Sequence, residues 1–295
     1  VSQVVQYILS GVTVGSIYAI VAIGFNIIYS TTGVINFAQG EFVMLGGMVA
    51  VSLLRVFPLP VAVAGAVVTV ALCGALLEIA FFRRLRHPSA LQMIIITIGL
   101  SIVIQEAALH IWDEKVRSLP YFTGTEITSI HLFGAAVSPQ VLWVLGTVSL
   151  AVLGLHAYFR YALAGKAMRA CASNPEAALL MGIDAATMRT ASFALSAGLG
   201  ALAGCVMSPI TMTHYEMGTG LAIKGFAAAI LGGLGNHSAA LVAGLAVGLA
   251  ESCSVAVLPA AYKDAVAFGI LVAVLFVRPH GLFGSAEVGT SSREF

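Results

Sequence analysis

The sequence has little charge. Only 9% of its 295 residues are Asp, Glu, Lys or Arg, against about 25% in a typical soluble domain. With 59% hydrophobic residues and a mean hydropathy of +1.00, such a chain cannot cover a water-facing surface, so lipid must supply the outer solvent. A basic patch with interleaved aromatics is also missing, and a net charge of +1 leaves no electrostatic footprint for nucleic acid. Cysteine is scarce. Cys73, Cys171, Cys205 and Cys253 lie far apart, which excludes metal spacing and a secreted disulfide framework and leaves them as small apolar residues. No G-x-x-x-x-G-K-[ST] phosphate loop, H-E-x-x-H motif or G-x-S-x-G elbow occurs, and no convincing pair of catalytic carboxylates stands out. The chain is therefore expected not to be an enzyme and to bind no metal or cofactor of its own. Its first residues carry no basic stretch of the signal-peptide kind, so the first helix is expected to stay in the protein.

What is present is a series of long apolar runs without alternation. In hydrocarbon the backbone must satisfy itself as helix or closed barrel, and barrel strands would alternate apolar and polar residues. The runs therefore predict an all-α, polytopic membrane bundle. A spanning helix needs roughly 20 apolar residues. Runs of that kind cover residues 4–29, 37–56, 61–82, 91–112, 141–159, 190–211 and 239–258, and shorter ones cover 221–231 and 265–277. The count is about eight or nine crossing or re-entrant helices. Neither an internal sequence repeat nor a separate soluble domain is legible, so residues 1–295 read as one membrane domain.

Lysine and arginine in short loops set the orientation. Arg83, Arg84 and Arg86 follow the third run, while Arg160, Lys166, Arg169 and Arg189 flank or fill the loop before the sixth, and Arg278 follows the last. These loops are expected in the cytoplasm. The loop 113–139, which mixes Asp113, Glu114 and Glu126 with Lys115 and Arg117, is expected outside. The C-terminus then lies inside. The N-terminus lies outside if all nine pieces cross, and inside if one re-enters. Glycine is abundant, and Gly11–Gly15, Gly200–Gly204 and Gly244–Gly248 match the G-x-x-x-G spacing that lets helix backbones approach closely in lipid.

Three segments carry candidate chemistry. In the cytoplasmic loop 160–189, Asn174 suits an N-cap, Pro175 the first helical position and Glu176 the positive helix end. Gly182 suits the C-terminal stop, and Asp184 the next N-cap. This predicts a helix of about two turns, too short to cross a bilayer. It offers Leu179, Leu180 and Met181 to the wet side, so either the protein's own bundle or a separate cytoplasmic subunit must pack on it. In residues 31–47, Gly33 can end the first helix. Asn36 with Gln39 reads as an N-cap and capping-box partner, and Glu41 falls in the first turn of the next helix. These groups either finish a helix end near the surface or face a solute path, since ionisable groups inside a membrane are costly. In residues 218–238, glycines bracket a short apolar piece, the pattern of a broken helix lining a cavity. Lys224 there can snorkel to the interface or face the path. Glu251 in the following run reads equally as a path group or as a buried hydrogen-bonding residue. His110, His156, His214 and His237 are scattered and are expected near the interfaces.

The stretches GVTVGSIYAIVAIGFNIIYSTTGVINFAQGEFVMLGG (11–47), GKAMRACASNPEAALLMGID (165–184) and IKGFAAAILGGLGN (223–236), with YKD at 262–264 and RPHGLFG near the C-terminus, resemble the branched-chain amino-acid ABC transporter permeases of bacteria, the LivH-like subunits. The resemblance runs over essentially the whole chain. It implies an ABC importer permease fold in the bacterial inner membrane. It also implies a complex with a second homologous permease subunit, two cytoplasmic ATP-binding subunits that use ATP and Mg, and a periplasmic solute-binding protein. By this likeness the segment with Arg169, Asn174, Pro175, Glu176, Leu179, Leu180, Gly182 and Asp184 is the coupling helix that docks into the ATPase, and transport proceeds by alternating access. Candidates for the translocation path are Asn36, Phe37, Gln39, Glu41, Lys224, Phe226 and Glu251. A stand-alone ion-coupled transporter or channel for small polar solutes such as urea or amides is the rival reading, with Glu41, Glu78, Glu106 and Glu251 as its coupling candidates.

Overall fold

The computed structural model describes residues 2–85, 89–125, 127–132, 135–256, 259, 262–278 and 281. Arg86, Glu126, the run end at 258 and most of the RPHGLFG stretch lie outside these. Among the described residues the chain is helical almost throughout. Helix α1 (Ser2–Thr32) precedes α2 (Gln39–Leu53) and α3 (Leu59–Leu77), and a π-helical turn (Glu78–Phe82) continues α3. Then come α4 (Ala90–Trp112), α5 (Pro139–Tyr161), α6 (Leu163–Ser173), α7 (Pro175–Leu180) and α8 (Ala185–Thr211). Helices α9 (Met217–Gly232), α10 (His237–Ser254) and α11 (Lys263–Val277) follow. A small antiparallel hairpin, β1 (Ile130–Leu132) with β2 (Ala135–Val137), lies between α4 and α5. Helices α1, α3, α4, α5 and α8 are long and apolar enough to cross a membrane. The polytopic all-α bundle expected from the apolar runs is the one observed.

Local chemistry sets the helix ends. Gly33, at φ +67°, ends α1 in the left-handed region that suits glycine. Ser89 and Gln92 close a reciprocal capping box at the start of α4, and the Ser138 side chain caps α5 ahead of Pro139. At the other end of the membrane from the basic loops, Gln6 near the start of α1 donates to the Ala136 carbonyl of β2 (3.1 Å). The far end of α1 meets α8 near its start, through Thr31 and Ser192 (2.7 Å between hydroxyls). The N-terminal end of α1 therefore lies on the face opposite Arg83, Arg84, Arg160 and Arg278. Helices α2 and α9 are apolar but shorter than the five long ones.

These two shorter helices begin well inside the bundle. The Gln39 side chain packs at Gly24 of α1, eight residues, or about 12 Å of helix, back from α1's end. Residues 33–38 thus climb into the membrane unwound before α2 begins. On the opposite side, Thr213 packs at Gly47 while Gly218 packs at Gly40, so residues 212–217 descend about 10 Å before α9 is under way. The sequence predicted helical apolar runs from 37 to 56 and from 221 to 231. The helices found are shorter at both ends in α2 and longer in α9, because Gly218 and Gly220 lie inside α9's first turns rather than before them.

Helices α1–α4 and α8–α11 repeat one pattern with opposite direction through the membrane. Each has a long helix, one that starts inside, then two crossing helices. Helix α1 packs along α10 as α8 packs along α3, and α2 lies against α9. The two G-x-x-x-G pairs of α1 and α10 face each other: a methyl on Gly248 would lie 2.2 Å from Gly15 Cα, and one on Gly244 would lie 2.5 Å from Ala19 Cα. The third pair, on α8, receives α2, where a methyl on Gly204 would meet the Val43 carbonyl at 1.9 Å. Helices α1 and α8 are accordingly the inner ones, with 72% and 78% of their apolar windows buried, against 17% for α4 and α5.

Gly248→Val is expected to destabilise the chain by about 1–3 kcal/mol through overpacking against α1. Gly154→Ala, in open space on α5, is expected to be neutral or slightly stabilising. Denaturation midpoints of the two variants in detergent measure the difference.

Candidate functional site

On the basic face, α6 and α7 form a short helical elbow. The Asn174 side chain accepts from the Ala177 amide (2.9 Å), Pro175 opens α7, and Asp184 accepts from the Ala186 amide (3.0 Å) to cap α8. Gly182, at φ +79°, closes α7 by a Schellman arrangement. Its amide reaches the Leu179 carbonyl (2.9 Å), and the Ile183 amide reaches that of Ala178 (3.0 Å). The expected caps are all in place. The Thr187 hydroxyl and the Ala186 amide hold the Asp184 carboxyl below the usual carboxylate range, so the cap is ionised at neutral pH and is lost only as pH falls through that lowered value. Helix α7 buries Ala178 and exposes its other apolar residues: Leu179 is 64% exposed, Leu180 88% and Met181 82%. Arg169 and Glu176 are exposed beside them. An open groove of about 260 Å³ lies between the two helices, lined by Ala170, Ser173, Ala177, Met181 and Ile183. Just beyond, Arg189 of α8 pairs with the buried Glu78 in the π-helical turn (2.7 Å), whose other oxygen accepts from Thr190.

Inside the membrane, the start of α2 differs from the expected capping box. Ala38 occupies the N-cap position, without a side-chain bond. Asn36 Oδ1 accepts from the Ala38 amide (3.1 Å) and the Asn36 carbonyl from the Gln39 amide (3.1 Å). That local turn satisfies the leading amides, which frees the Gln39 side chain for a different task. Its Nε2 donates to the Ser196 carbonyl of α8 (3.2 Å). The Ser196 hydroxyl lies between Gln39 Oε1 (2.7 Å) and the Gly24 carbonyl of α1 (2.8 Å). Gln39 and Ser196 are fully buried, and they tie three helices together. Glu41, also fully buried, points to where α2 and α9 begin side by side. Its Oε1 accepts from Ser101 of α4 (3.0 Å) and from Thr219 of α9 (3.4 Å). Phe37 and Phe226 pack against each other (ring centroids 5.2 Å apart) and against the buried Phe25 (6.5 and 5.8 Å).

The remaining two candidates are joined. Lys224 is paired within the bundle. Its Nζ donates to Glu251 Oε1 (3.0 Å) and to Asp264 Oδ1 (2.7 Å). The Tyr18 hydroxyl donates to the other Glu251 oxygen (2.8 Å), and its ring faces the ammonium at 5.4 Å. Glu251 is therefore a satisfied, buried group in a network that joins α1, α9, α10 and α11.

A family model described as the permease component of the branched-chain amino acid transport system matches residues 7–275. The chain belongs to that family. Among its relatives is the high-affinity branched-chain amino acid transport system permease protein LivH of Salmonella typhimurium, 33% identical over 96% of both chains. The corresponding protein BraD of Pseudomonas aeruginosa is 32% identical, again over 96% of both. A solved structure, PsaBC from Streptococcus pneumoniae in complex with Fab, is 13% identical with a TM-score of 0.47 over 95% of this chain and 91% of that one. That likeness is too slight to argue from.

In this permease, several residues that the sequence did not single out complete the candidate sites. Ser101, Thr219 and Gly218 surround Glu41, while Tyr18 and Asp264 complete the Lys224 network. Asp264 carried a signal as part of the YKD stretch, Gly218 and Thr219 as part of the glycine-bracketed segment 218–238 and Tyr18 as part of the 11–47 stretch, whereas Ser101 carried none. Tyr18 and Glu251 are 233 positions apart, and no local pattern links them.

Lys224→Met leaves Glu251 without its cation and is expected to cost the permease about 3–5 kcal/mol. The double variant Lys224→Met/Glu251→Leu is expected to be more stable than the single one, since Asp264 is half exposed and can be solvated. A double-mutant cycle on denaturation midpoints in detergent measures the coupling.

Proposed function

We propose that this chain is the membrane-spanning permease subunit of an ATP-driven ABC importer that moves branched-chain amino acids, leucine, isoleucine and valine among them, across the bacterial inner membrane. Its partners are a second homologous permease subunit, two cytoplasmic ATP-binding subunits and a periplasmic solute-binding protein. ATP and Mg belong to the ATP-binding subunits. Family membership supports the transport assignment. The observation that carries the coupling is α7: a helix of six residues, fastened at both ends, with Leu179, Leu180 and Met181 turned to water on the basic side. An exposed apolar face on the basic side fits the surface of a separate protein.

The geometry also supports a route for the stroke. Helix α7 leads through Asp184 directly into α8, and Arg189 on α8 grips Glu78 at the end of α3. A push on α7 is therefore delivered to α3 and α8, the pair that embraces α2. The solute-binding protein supplies recognition at the other face. The path between α2 and α9 then needs only to open by alternating access, with Asn36, Phe37, Gln39, Glu41 and Phe226 around it. The Lys224–Glu251 network holds α9 to α10 and α11 while this occurs. Residues 160–189 act as the coupling loop of a single permease domain.

Leu179→Asp/Leu180→Asp is expected to abolish uptake and capture of the ATP-binding subunits while leaving membrane insertion intact. Co-purification from membranes and uptake into proteoliposomes are the readouts. A double variant that still captured the subunits and supported uptake would overturn the assignment of α7.

A further inference from the structure

Three glutamates are buried within the described part of this chain: Glu41, Glu78 and Glu251. Two of them are matched by cations of the chain itself. Glu78 has Arg189 and the Thr190 hydroxyl, and Glu251 has Lys224 and the Tyr18 hydroxyl. Glu41 has hydroxyls only, Ser101 and Thr219, and both reach the same oxygen, Oε1. Oε2 is buried and without a hydrogen-bond partner. A carboxylate taken out of water without a cation costs several kcal/mol, so the arrangement is a standing deficit that a positive group would relieve.

Glycine lets the two helix starts meet at this carboxylate. A methyl on Gly218 would fall 2.4 Å from Oε2, and one on Gly40 would fall 1.9 Å from the Gly218 carbonyl. Any larger residue at either position would close the approach between the two helices. The start of α2 carries a second unmatched atom, since Asn36 Nδ2, also buried, has no acceptor. The amide nitrogen donates only, and the carboxylate accepts only. An unmatched acceptor for hydrogen bonds from a cation and an unmatched donor for an anion thus lie within five residues of each other at the start of α2.

We propose that Glu41 Oε2 receives the primary ammonium group of the transported solute as it passes between α2 and α9. This assignment rests on the transport reading above and narrows its substrate class. The path is built for solutes that bring their own ammonium, such as α-amino acids, and against neutral urea and amides, which leave the carboxylate uncompensated. No covalent step is involved. The ammonium keeps its proton and is held by charge and hydrogen bonds.

The test uses the complete importer in proteoliposomes with its solute-binding protein. Glu41→Gln is expected to reduce leucine uptake by about tenfold or more, the scale of removing one partner of a buried charge pair. Co-purification of the ATP-binding subunits with the Glu41→Gln permease is expected to match the parent, which separates a loss of transport from a loss of folding or assembly. Uptake by the Glu41→Gln complex at the parent rate, as for a carboxyl that only needs a proton to stay neutral, would overturn the proposal. A second measurement keeps Glu41 itself. In a Thr219→Cys complex, alkylation of the new thiol is expected to slow by about twofold or more in isopentylammonium chloride, through occupancy of the adjacent carboxylate, and to be unchanged in sodium isovalerate. Equal rates in the two salts would overturn it as well. A parent complex whose ATP hydrolysis neither drives uptake nor responds to the binding protein would instead count against the importer reading, and is distinguishable from both results.

Discussion

A backbone amide inside hydrocarbon must find its partner within the protein, and that demand is hardest to meet where a helix starts inside the bilayer. Helices α2 and α9 both do so, and they do so against each other. The Asn36 turn accounts for the leading amides of α2, the Gly40–Gly218 contact brings the two backbones to touching distance, and the Glu41 carboxylate lies between their positive ends. Around this crossing the long helices α1 and α8 close a shell through glycine pairs that admit α10 and α2. A single methyl at Gly40, Gly204 or Gly248 would displace backbone in each case. The fold is therefore set by where side chains are missing as much as by where they are present.

The same principle of matching separates the parts that hold the molecule together from the parts that are poised to meet something else. Lys224, Glu251, Asp264 and Tyr18 complete one another and tie α1, α9, α10 and α11. Gln39, Ser196 and the Gly24 carbonyl complete one another and tie α1, α2 and α8. Two features that stay incomplete are the exposed apolar face of α7 and the outer oxygen of Glu41, which looks at no cation. The first suits a protein surface and the second suits a charged solute. In the account proposed here they are the two ends of one machine, connected through α8, Arg189 and Glu78.

Much of this was legible along the chain wherever the determining groups are neighbours in sequence. The apolar runs located all nine pieces. Asn174, Pro175, Gly182 and Asp184 cap and close α7 and α8 as their spacing predicts, because capping is an interaction over two to four residues. The G-x-x-x-G pairs signalled close contacts, though not which helices they join. The start of α2 was misread because Asn36 and Gln39 have capping-box spacing, while Ser196, the residue that takes Gln39, is 157 positions away. The partners of Lys224 were hidden for the same reason, since they come from α10 and α11. The inverted pattern of α1–α4 and α8–α11 left no trace that could be read locally. Packing against an inverted neighbour constrains helix length and the placing of glycine, not residue identity, and Asn-Phe-Ala-Gln at the start of α2 shares nothing with Glu-Met-Gly-Thr at the start of α9.

The central claim is that α7 is a docking element for a motor the chain does not contain. Its most direct test is photo-cross-linking in intact cells from a light-activated residue placed at position 180. The account predicts an adduct whose second component is an ATP-binding subunit on the cytoplasmic side. Adducts only with lipid, or only within the permease's own helices, would contradict it.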